Sequence, residues 1–169
     1  MNIFYLHQAA PIAASLHCDK HVGKMLIESC QLLATAHHVH GNGHAVTYKP
    51  THINHPSAIW CRSSPAHYDW LMHLALYLGR EFFHRYGKVH ACRQVLIDQL
   101  LRPPPALAAM PNTWQPPTLA MPDEFKSADH VESYRRFYTS KQSRMPMVWY
   151  RGERPVPGWF QDYSQPIAA

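Results

Sequence analysis

Apolar side chains recur at intervals of three and four residues between Asp19 and Ala36, which is the spacing of one face of an α-helix. The residues on this face are Val22, Met25, Leu26, Cys30, Leu33 and Ala36. Asp19 is a residue type that caps helices, so we predict that the helix begins there. We place its end near Ala36, before the turn-forming sequence HGNGH at 40–44. This segment favours an all-α fold.

Proline, serine and glycine residues mark the ends of further helices. Pro56 suits the first turn of a second helix, and Ser64 before Pro65 is a capping residue followed by a proline at the first helical position. The helix that starts there runs to about Tyr86 and is closed by Gly87. Two later helices are predicted over about 89–101 and 130–142.

The segment 103–122 excludes a long helix, because it holds seven of the 15 prolines of the chain. We predict an irregular, ordered strap there. Residues 2–6 form a short extended segment, and the tail from Met147 to Phe160 is an extended, aromatic and proline-rich arm. The expected architecture is one compact all-α domain over 1–169 with an irregular C-terminal arm.

Composition limits the class of protein. A chain of 169 residues with 46% hydrophobic residues can form a real core. It has no apolar run near the roughly 20 residues that span a bilayer and no secretory signal pattern, so we expect a cytoplasmic protein without a membrane partner. The four cysteines follow no CxxC spacing and are expected to be reduced thiols. The net charge of +5 favours a polyanionic partner.

A polar stripe on the first long helix is the most informative feature. His21, Lys24, Glu28, Gln31 and Thr35 are three, four or seven residues apart and share a face. One interpretation is a catalytic set, in which a carboxylate and an amine process a nucleotide base. The other is an ordinary surface pair between Lys24 and Glu28. Gly23 inside the helix indicates close approach of another backbone.

The chain resembles a family of phage and bacterial proteins that carries CDKHxxK and THxNHP motifs, here CDKHVGK at 18–24 and THINHP at 51–56. The resemblance continues through Tyr86-Gly87-Lys88, MPDEFK and SYRRFY, and so covers nearly the whole chain. More distantly, these segments are similar to the pyrimidine-dimer DNA glycosylases of the endonuclease V type. That family is small and all-α, and it needs no metal or other cofactor.

The glycosylase resemblance implies roles for four residues. Glu28 would be the catalytic carboxylate, since Asp19 and His21 precede it at the family's interval. The amine of Met1 would be the nucleophile, with Lys24 as the other candidate, and His21 would position Glu28 or a phosphate. We expect Met1 to be retained because Asn2 is bulky. Ile27 and Gln31 stand where the family has arginines, so specificity for pyrimidine dimers is not carried over.

Basic, polar and aromatic residues elsewhere are candidates for contacts to nucleic acid. In THINHP, the side chains before the helix start would either bind a phosphate or cap the helix. Around 134–144, rings and cations alternate, and this pattern also fits an amphipathic helix with a buried aromatic face. The candidates are Lys20, His52, Asn54, His55, Arg62, Arg135, Arg136, Lys141, Trp149, Tyr150 and Arg151.

The 14 histidines leave a metal site open as an alternative. His17, Cys18 and His21 form one possible ligand group, and His37, His38 and His40 form another. His17 and His21 have the HxxxH spacing of some zinc sites, but a helix that starts at Asp19 does not put both on one face. We therefore predict no metal and no cofactor.

The leading functional hypothesis is an enzyme that acts on a flipped DNA base, in the manner of a glycosylase with abasic-site lyase activity. DNA, single-stranded or duplex, is the expected partner. One alternative is a phage-type transferase that modifies DNA bases. The other is a nucleic-acid-binding protein without catalytic activity.

Overall fold

The computed structural model describes residues 2–164, which contain eight α-helices and no β-strand. The helices are α1 (Ala10–Ser15), α2 (Asp19–Val39), α3 (Pro56–Cys61), α4 (Pro65–Tyr86), α5 (Cys92–Gln99), α6 (Pro105–Ala108), α7 (His130–Thr139) and α8 (Gly158–Ser164). The all-α prediction is therefore confirmed. In the described part of the chain, no helix combines the length and apolar character needed to cross a membrane.

Local sequence signals set the ends of the central helices. The Ser64 side chain accepts the backbone N–H of Ala66 at the start of α4, directly before Pro65. At the other end of α4, Gly87 closes the helix with a left-handed φ of 64°, which glycine adopts without steric cost. These boundaries are the ones that the sequence predicts.

Helices α2 and α4 pack against each other through the centre of the molecule. The core between them includes Leu26, Leu33, Leu71 and Leu78, all with no exposed surface. The close approach predicted at Gly23 is real, but it involves a side chain rather than a backbone. A Cβ at Gly23 would lie only 3.1 Å from the ring of Phe82, so any larger residue would displace that ring.

The C-terminal arm differs from the prediction of an extended tail. It contains a 3-10 turn at Arg151–Glu153 and the helix α8. The arm folds back onto the core because Trp149 and Phe160 bury their rings against each other, with centroids 4.7 Å apart. That burial is a tertiary effect that the irregular local pattern does not reveal.

Other helices differ from the sequence prediction mainly at their ends. Helix α5 is shorter than the predicted 89–101. Helix α7 stops at Thr139 and continues as a 3-10 turn over Ser140–Ser143. Two short α-helices were not predicted from the sequence. They are α1 and the four-residue α6 inside the proline-rich segment. The rest of that segment is irregular, as its prolines require.

The proline-rich strap is fixed to the helices by side-chain hydrogen bonds. Ser64 donates to the carbonyl of Thr113 at 2.6 Å and accepts that residue's N–H at 3.1 Å. The indole of Trp60 donates to the carbonyl of Gln115 at 2.9 Å, and His67 accepts the N–H of Gln115 at the same distance. The segment is thus ordered despite having little regular structure.

A buried ionic network joins the segment around the start of α2 and the C-terminal arm to α4. The guanidinium of Arg85 contacts Glu81 at 2.7 Å and Asp19 at 3.0 Å, and it donates to the carbonyls of Ser15 and His17. Arg154 from the C-terminal arm binds the same Glu81 carboxylate through two nitrogens, at 2.7 and 2.8 Å. These cations hold the pKa of Glu81 below its usual value against the opposing effect of burial. Asp19 therefore serves this network, and the helix cap is Cys18 instead.

We expect Arg85→Met to lower the free energy of unfolding by about 3–5 kcal/mol, because it leaves two buried carboxylates short of their cation. Chemical denaturation at neutral pH measures this change. Arg93→Met, at an exposed position on α5, is the matched control and should cost no more than about 0.5 kcal/mol. An Arg85 variant as stable as that control would contradict the assigned role.

Candidate functional site

The carboxylate of Glu28 lies at a cavity of about 450 Å³ between α2, the N-terminal segment and the end of α7. Its Oε2 accepts the backbone N–H of Asn2 at 3.1 Å, and its Oε1 lies 3.9 Å from Nζ of Lys24. The Glu28 side chain is only 16% exposed, whereas that of Lys24 is 59% exposed. Glu28 is thus held by the N-terminal segment as well as by the ordinary i,i+4 pair.

The N-terminal segment is irregular rather than extended as predicted, because the N–H of Leu6 turns back to the carbonyl of Phe4 at 2.8 Å, and it is buried along residues 2–6. Phe4 has a left-handed φ of 50°, an uncommon conformation for a bulky residue, and its ring packs 4.8 Å from the ring of Tyr138. The side-chain amide of Asn2 donates to the carbonyl of Ala120 at 2.9 Å. These contacts fix the nitrogen of residue 2 against Glu28.

Cations surround the mouth of the cavity. Lys20, Lys24, Lys141 and Arg144 all line it, against the single carboxylate of Glu28. Burial lowers the pKa of Lys141, and the nearby charges of Arg144 and Lys24 lower it further, so these cations are close enough to repel one another. The ammonium of Lys141 lies 3.5 Å from the centre of the Phe137 ring. The arrangement suits a ligand that brings negative charge.

His21 contributes a neutral imidazole to the wall of the cavity. Burial lowers its pKa to about 3, and the charges of neighbouring groups act in the same direction. The ring stacks on Phe4 with centroids 5.5 Å apart, and its Nδ1 is buried without a hydrogen-bond partner in the described residues. Since a buried lone pair is tolerated better than a buried orphan N–H, we place the proton on Nε2. His21 makes no hydrogen bond to Glu28, so it does not position that carboxylate directly.

The structure therefore brings together most of the predicted catalytic residues. Glu28, His21 and Lys24 line one cavity with Lys20 and Lys141, two of the predicted nucleic-acid contacts. Met1, the predicted nucleophile, lies outside the described residues.

For the THINHP segment, the sequence left phosphate binding and helix capping open. One of its histidines, His55, caps a helix. The Nδ1 of His55 accepts the N–H of Ser57 at 3.1 Å at the start of α3. Burial lowers the pKa of His55, and the charge of Glu28 acts in the opposite direction. His52 and Asn54 are exposed, and Arg62 donates to the carbonyl of Ile53 at 2.7 Å. None of these side chains lines the Glu28 cavity.

Three predicted contacts on the C-terminal part of the chain are engaged within the fold. Trp149 is 2% exposed and donates to the carbonyl of Leu16 at 3.0 Å, so its ring is not available to stack on a base. Arg135 donates to the carbonyl of Leu6 at 2.9 Å and stacks on Trp159. Arg136 lies 3.9 Å from Glu132.

Tyr150 and Arg151 remain at the surface. Tyr150 is 68% exposed, and the guanidinium of Arg151 lies 4.9 Å from the centre of the Tyr86 ring. These two residues keep the exposure that contact with nucleic acid requires, although they do not line the Glu28 cavity.

Of the five histidines considered as alternative metal ligands, all but His21 make hydrogen bonds within the described residues. His17 bonds to the carbonyl of Ala13 at 2.7 Å, His37 to the hydroxyl of Tyr68 at 3.0 Å, and His38 to the carbonyl of Tyr48 at 2.9 Å. Within residues 2–164, no three His, Cys, Asp or Glu side chains are grouped to hold a metal ion.

Several residues of the cavity wall were not predicted as site residues, and Asn2 and Phe4 are the most informative of them. Asn2 and Phe4 line the wall opposite Glu28, 26 and 24 positions away along the chain. The only signal at sequence level was the apolar, extended character of the N-terminal segment, and this does not specify which helix it packs against.

Comparison of the chain with protein-family models, with curated proteins and with solved structures found no match. The site is accordingly described by its own geometry.

We expect the neutral state of His21 to appear in the pH dependence of stability. The folded pKa of about 3 lies below the ordinary value of 6.5, so the unfolded chain binds the proton first as the pH falls. The contribution of His21 is complete above pH 6.5 and is lost towards pH 3, with a slope of up to about 1.4 kcal/mol per pH unit.

Denaturation curves between these two pH values test this expectation. His21→Gln should make the loss of stability with falling pH shallower, whereas His44→Gln, at an exposed position, should not. A His21 variant whose pH profile runs parallel to that of the natural protein would show that this imidazole does not resist protonation.

Proposed function

We propose that the protein is a DNA-base-processing enzyme that removes a flipped base and cleaves the resulting abasic site through an amine. The observation that carries this proposal is the contact between Glu28 and the nitrogen of Asn2, 3.1 Å apart, inside a cation-lined cavity. This nitrogen belongs to the peptide bond between Met1 and Asn2, so Glu28 contacts the chain one peptide bond from the amine of residue 1. A carboxylate close to an amine is the pairing that imine chemistry at a sugar carbon requires.

The charge of the cavity mouth supports a nucleic-acid substrate. Lys20, Lys24, Lys141 and Arg144 can neutralise phosphates on both sides of a nucleotide whose sugar faces Glu28. The target base has to leave the stack, because its glycosidic carbon is not accessible to a protein nucleophile inside a duplex. Phe4 and Phe137 offer apolar ring surface in the cavity for such a base.

The N-terminal amine is the proposed nucleophile. When Met1 is the first residue, its amine is one residue along the chain from the nitrogen that contacts Glu28. In a chain that begins at Asn2, the amine is that nitrogen itself. Lys24 is the second candidate, since its ammonium lies 3.9 Å from Glu28 but is largely exposed.

In the proposed reaction, the neutral amine attacks C1′ of the nucleotide and the bond from C1′ to the base breaks. The base leaves with its bonding electron pair and takes a proton from water. The sugar ring then opens to an imine between C1′ and the amine nitrogen as O4′ takes up the proton held on Glu28. Glu28 accepts the proton that the amine gives up and stabilises the positive charge that develops on the sugar. The Glu28 carboxylate then takes a proton from C2′ and the 3′ phosphate leaves. Water hydrolyses the bond between C1′ and nitrogen, which frees the amine and leaves an unsaturated aldehyde.

His21 would act in this scheme as a neutral hydrogen-bond donor. With a pKa of about 3, its imidazole is neither a cation nor a general base near neutral pH. Its Nε2–H would bind an acceptor atom on the flipped base or on the sugar. This role replaces the positioning of Glu28 that the resemblance implies.

We expect borohydride to trap a covalent adduct between the protein and an oligonucleotide with one abasic site. Chains prepared to begin at Met1 and at Asn2 should both be trapped, whereas the same chains with an acetylated N-terminus should not. Glu28→Gln should reduce the trapping rate by at least about a hundredfold, the scale of a lost general acid–base group.

Lys24→Arg separates the two nucleophiles, because it keeps the charge and removes the amine. Loss of the adduct in this variant, with trapping intact after acetylation, would assign the chemistry to Lys24 instead. If DNA is bound but no form gives an adduct, the amine mechanism is wrong. A base-modifying transferase or a simple DNA-binding protein would then be the better description.

Salt dependence tests the phosphate contacts separately from the chemistry. Replacing Lys20, Lys141 or Arg144 by glutamine should each reduce the slope of log affinity against log salt concentration by about 1. Arg93→Gln, on an exposed part of α5, is the control and should leave the slope unchanged. Equal slopes in all four variants would place the DNA elsewhere on the surface.

A further inference from the structure

A second cavity, of about 860 Å³, lies between the start of α4, the proline-rich strap and the start of α7. It is larger than the Glu28 cavity and shares no residue with it. Its volume is in the range of small-molecule binding sites. The proposed DNA chemistry makes no use of it.

Three aromatic rings form part of its wall. The rings of Tyr5 and Trp70 lie 5.1 Å apart at an interplanar angle of 56°, and those of Trp70 and Trp114 lie 6.4 Å apart at 46°. The rings are thus inclined to one another rather than stacked flat. Trp114 is 43% exposed, so much of its ring surface is not covered by the fold. Such a wall offers several π-surfaces to one ligand.

The charged residues of this cavity are both acidic. Asp69 and Asp129 line it together with the imidazoles of His73 and His130, and among the described residues no lysine or arginine does, although the chain holds 16 of them. Among residues 2–164, neither carboxylate has a cation within ion-pair distance. Asp129 uses its Oδ1 to cap α7 by accepting the N–H groups of Val131 and Glu132. The cavity is therefore negative in a protein of net charge +5.

Of the two carboxylates, that of Asp69 says more about the charge of the ligand. Burial raises its pKa, and the nearby His73 only partly offsets this effect. The Nδ1 of His73 bonds to the backbone carbonyl of Asp69 at 2.8 Å and not to its carboxylate. A partly desolvated carboxylate beside aromatic rings lacks the counter-charge that would stabilise it.

These features discriminate between classes of ligand. Phosphate-bearing molecules are disfavoured, since they would meet two carboxylates and no cation. A neutral apolar molecule would desolvate Asp69 further without compensating it. A cation satisfies both features, because it pairs with the carboxylates and is attracted by the faces of tryptophan and tyrosine. An organic cation also fills the volume better than a hydrated metal ion.

The geometry points to a binding site for an organic cation, of amine, quaternary ammonium or guanidinium type, held between Trp70, Trp114 and Asp69. This inference is independent of the proposed DNA chemistry, because the two cavities have no residue in common. The cation can be a free small amine or a lysine or arginine side chain of another molecule, since both present the same chemistry.

Titration of the full chain with choline, followed by the indole N–H signals in NMR, tests the site. Trp70 and Trp114, assigned through Trp→Phe variants, should shift with saturation. The neutral isostere 3,3-dimethylbutan-1-ol should bind at least about tenfold more weakly, which is 1.4 kcal/mol for the charge. Equal binding of choline and the neutral alcohol would overturn the proposal, as would the absence of a saturable shift into the high millimolar range.

Variants give the second readout. Asp69→Asn should weaken choline binding by about tenfold, whereas Asp98→Asn, which removes an exposed carboxylate from α5, should not change it. If Asp69→Asn fails to fold, Trp114→Ala replaces it, because Trp114 is partly exposed and should also weaken binding. Unchanged affinity in a folded variant of either residue would contradict the assignment.

Two further probes identify the source of the cation. Putrescine represents a free amine, and N-acetyl-lysine amide and N-acetyl-arginine amide represent protein side chains. Tighter binding of putrescine would assign the site to small amines, and tighter binding of the amides would assign it to a protein partner. Because the abasic-site trapping assay does not involve these residues, Asp69→Asn should leave it intact. The cation-binding and trapping experiments can therefore disprove one proposal without affecting the other.

Discussion

The guanidinium of Arg85 is the point at which the N-terminal region, α4 and the C-terminal arm meet. It compensates Asp19 and Glu81, and through Glu81 it shares a carboxylate with Arg154 of the arm. Burying such charges is costly, and the cost is offset only because each polar atom finds a partner at good geometry. Since Asp19 is the first residue of α2, the network also fixes the start of the helix that carries His21, Lys24 and Glu28. The candidate site thus depends on an interaction that is not part of it.

The site itself is produced by the packing of a short, irregular segment. Residues 2–6 make no strand, yet they are buried because their apolar side chains fit between α2 and α7. This fit holds Phe4 in an unfavourable backbone conformation and directs the nitrogen of Asn2 to Glu28. The Phe4 ring also stacks on His21 and so contributes to the burial that lowers the pKa of that imidazole. The packing of this segment therefore bears on both the geometry and the protonation state of the cavity.

Charge is distributed unevenly over the molecule, and the net value of +5 hides this. The Glu28 cavity collects four cations around one carboxylate, whereas the cavity at Trp114 has two carboxylates and no cation. Two sites of opposite sign on one small domain select opposite ligands, because local charge rather than net charge decides what approaches each one. The proposals for a nucleic-acid substrate and for an organic cation are compatible for this reason.

The sequence by itself determined the helices whose ends are marked by local chemistry. Ser64 and Pro65 start α4 and Gly87 ends it, since capping and left-handed φ depend on residues within one turn. It also placed His21, Lys24 and Glu28 on one helix face, because helical periodicity is local. Tertiary structure alone decided that Asn2 completes the site, that Trp149 is buried and that the tail forms α8. These outcomes depend on which surfaces that are distant in the sequence come into contact. The spacing of nearby residues does not specify those contacts.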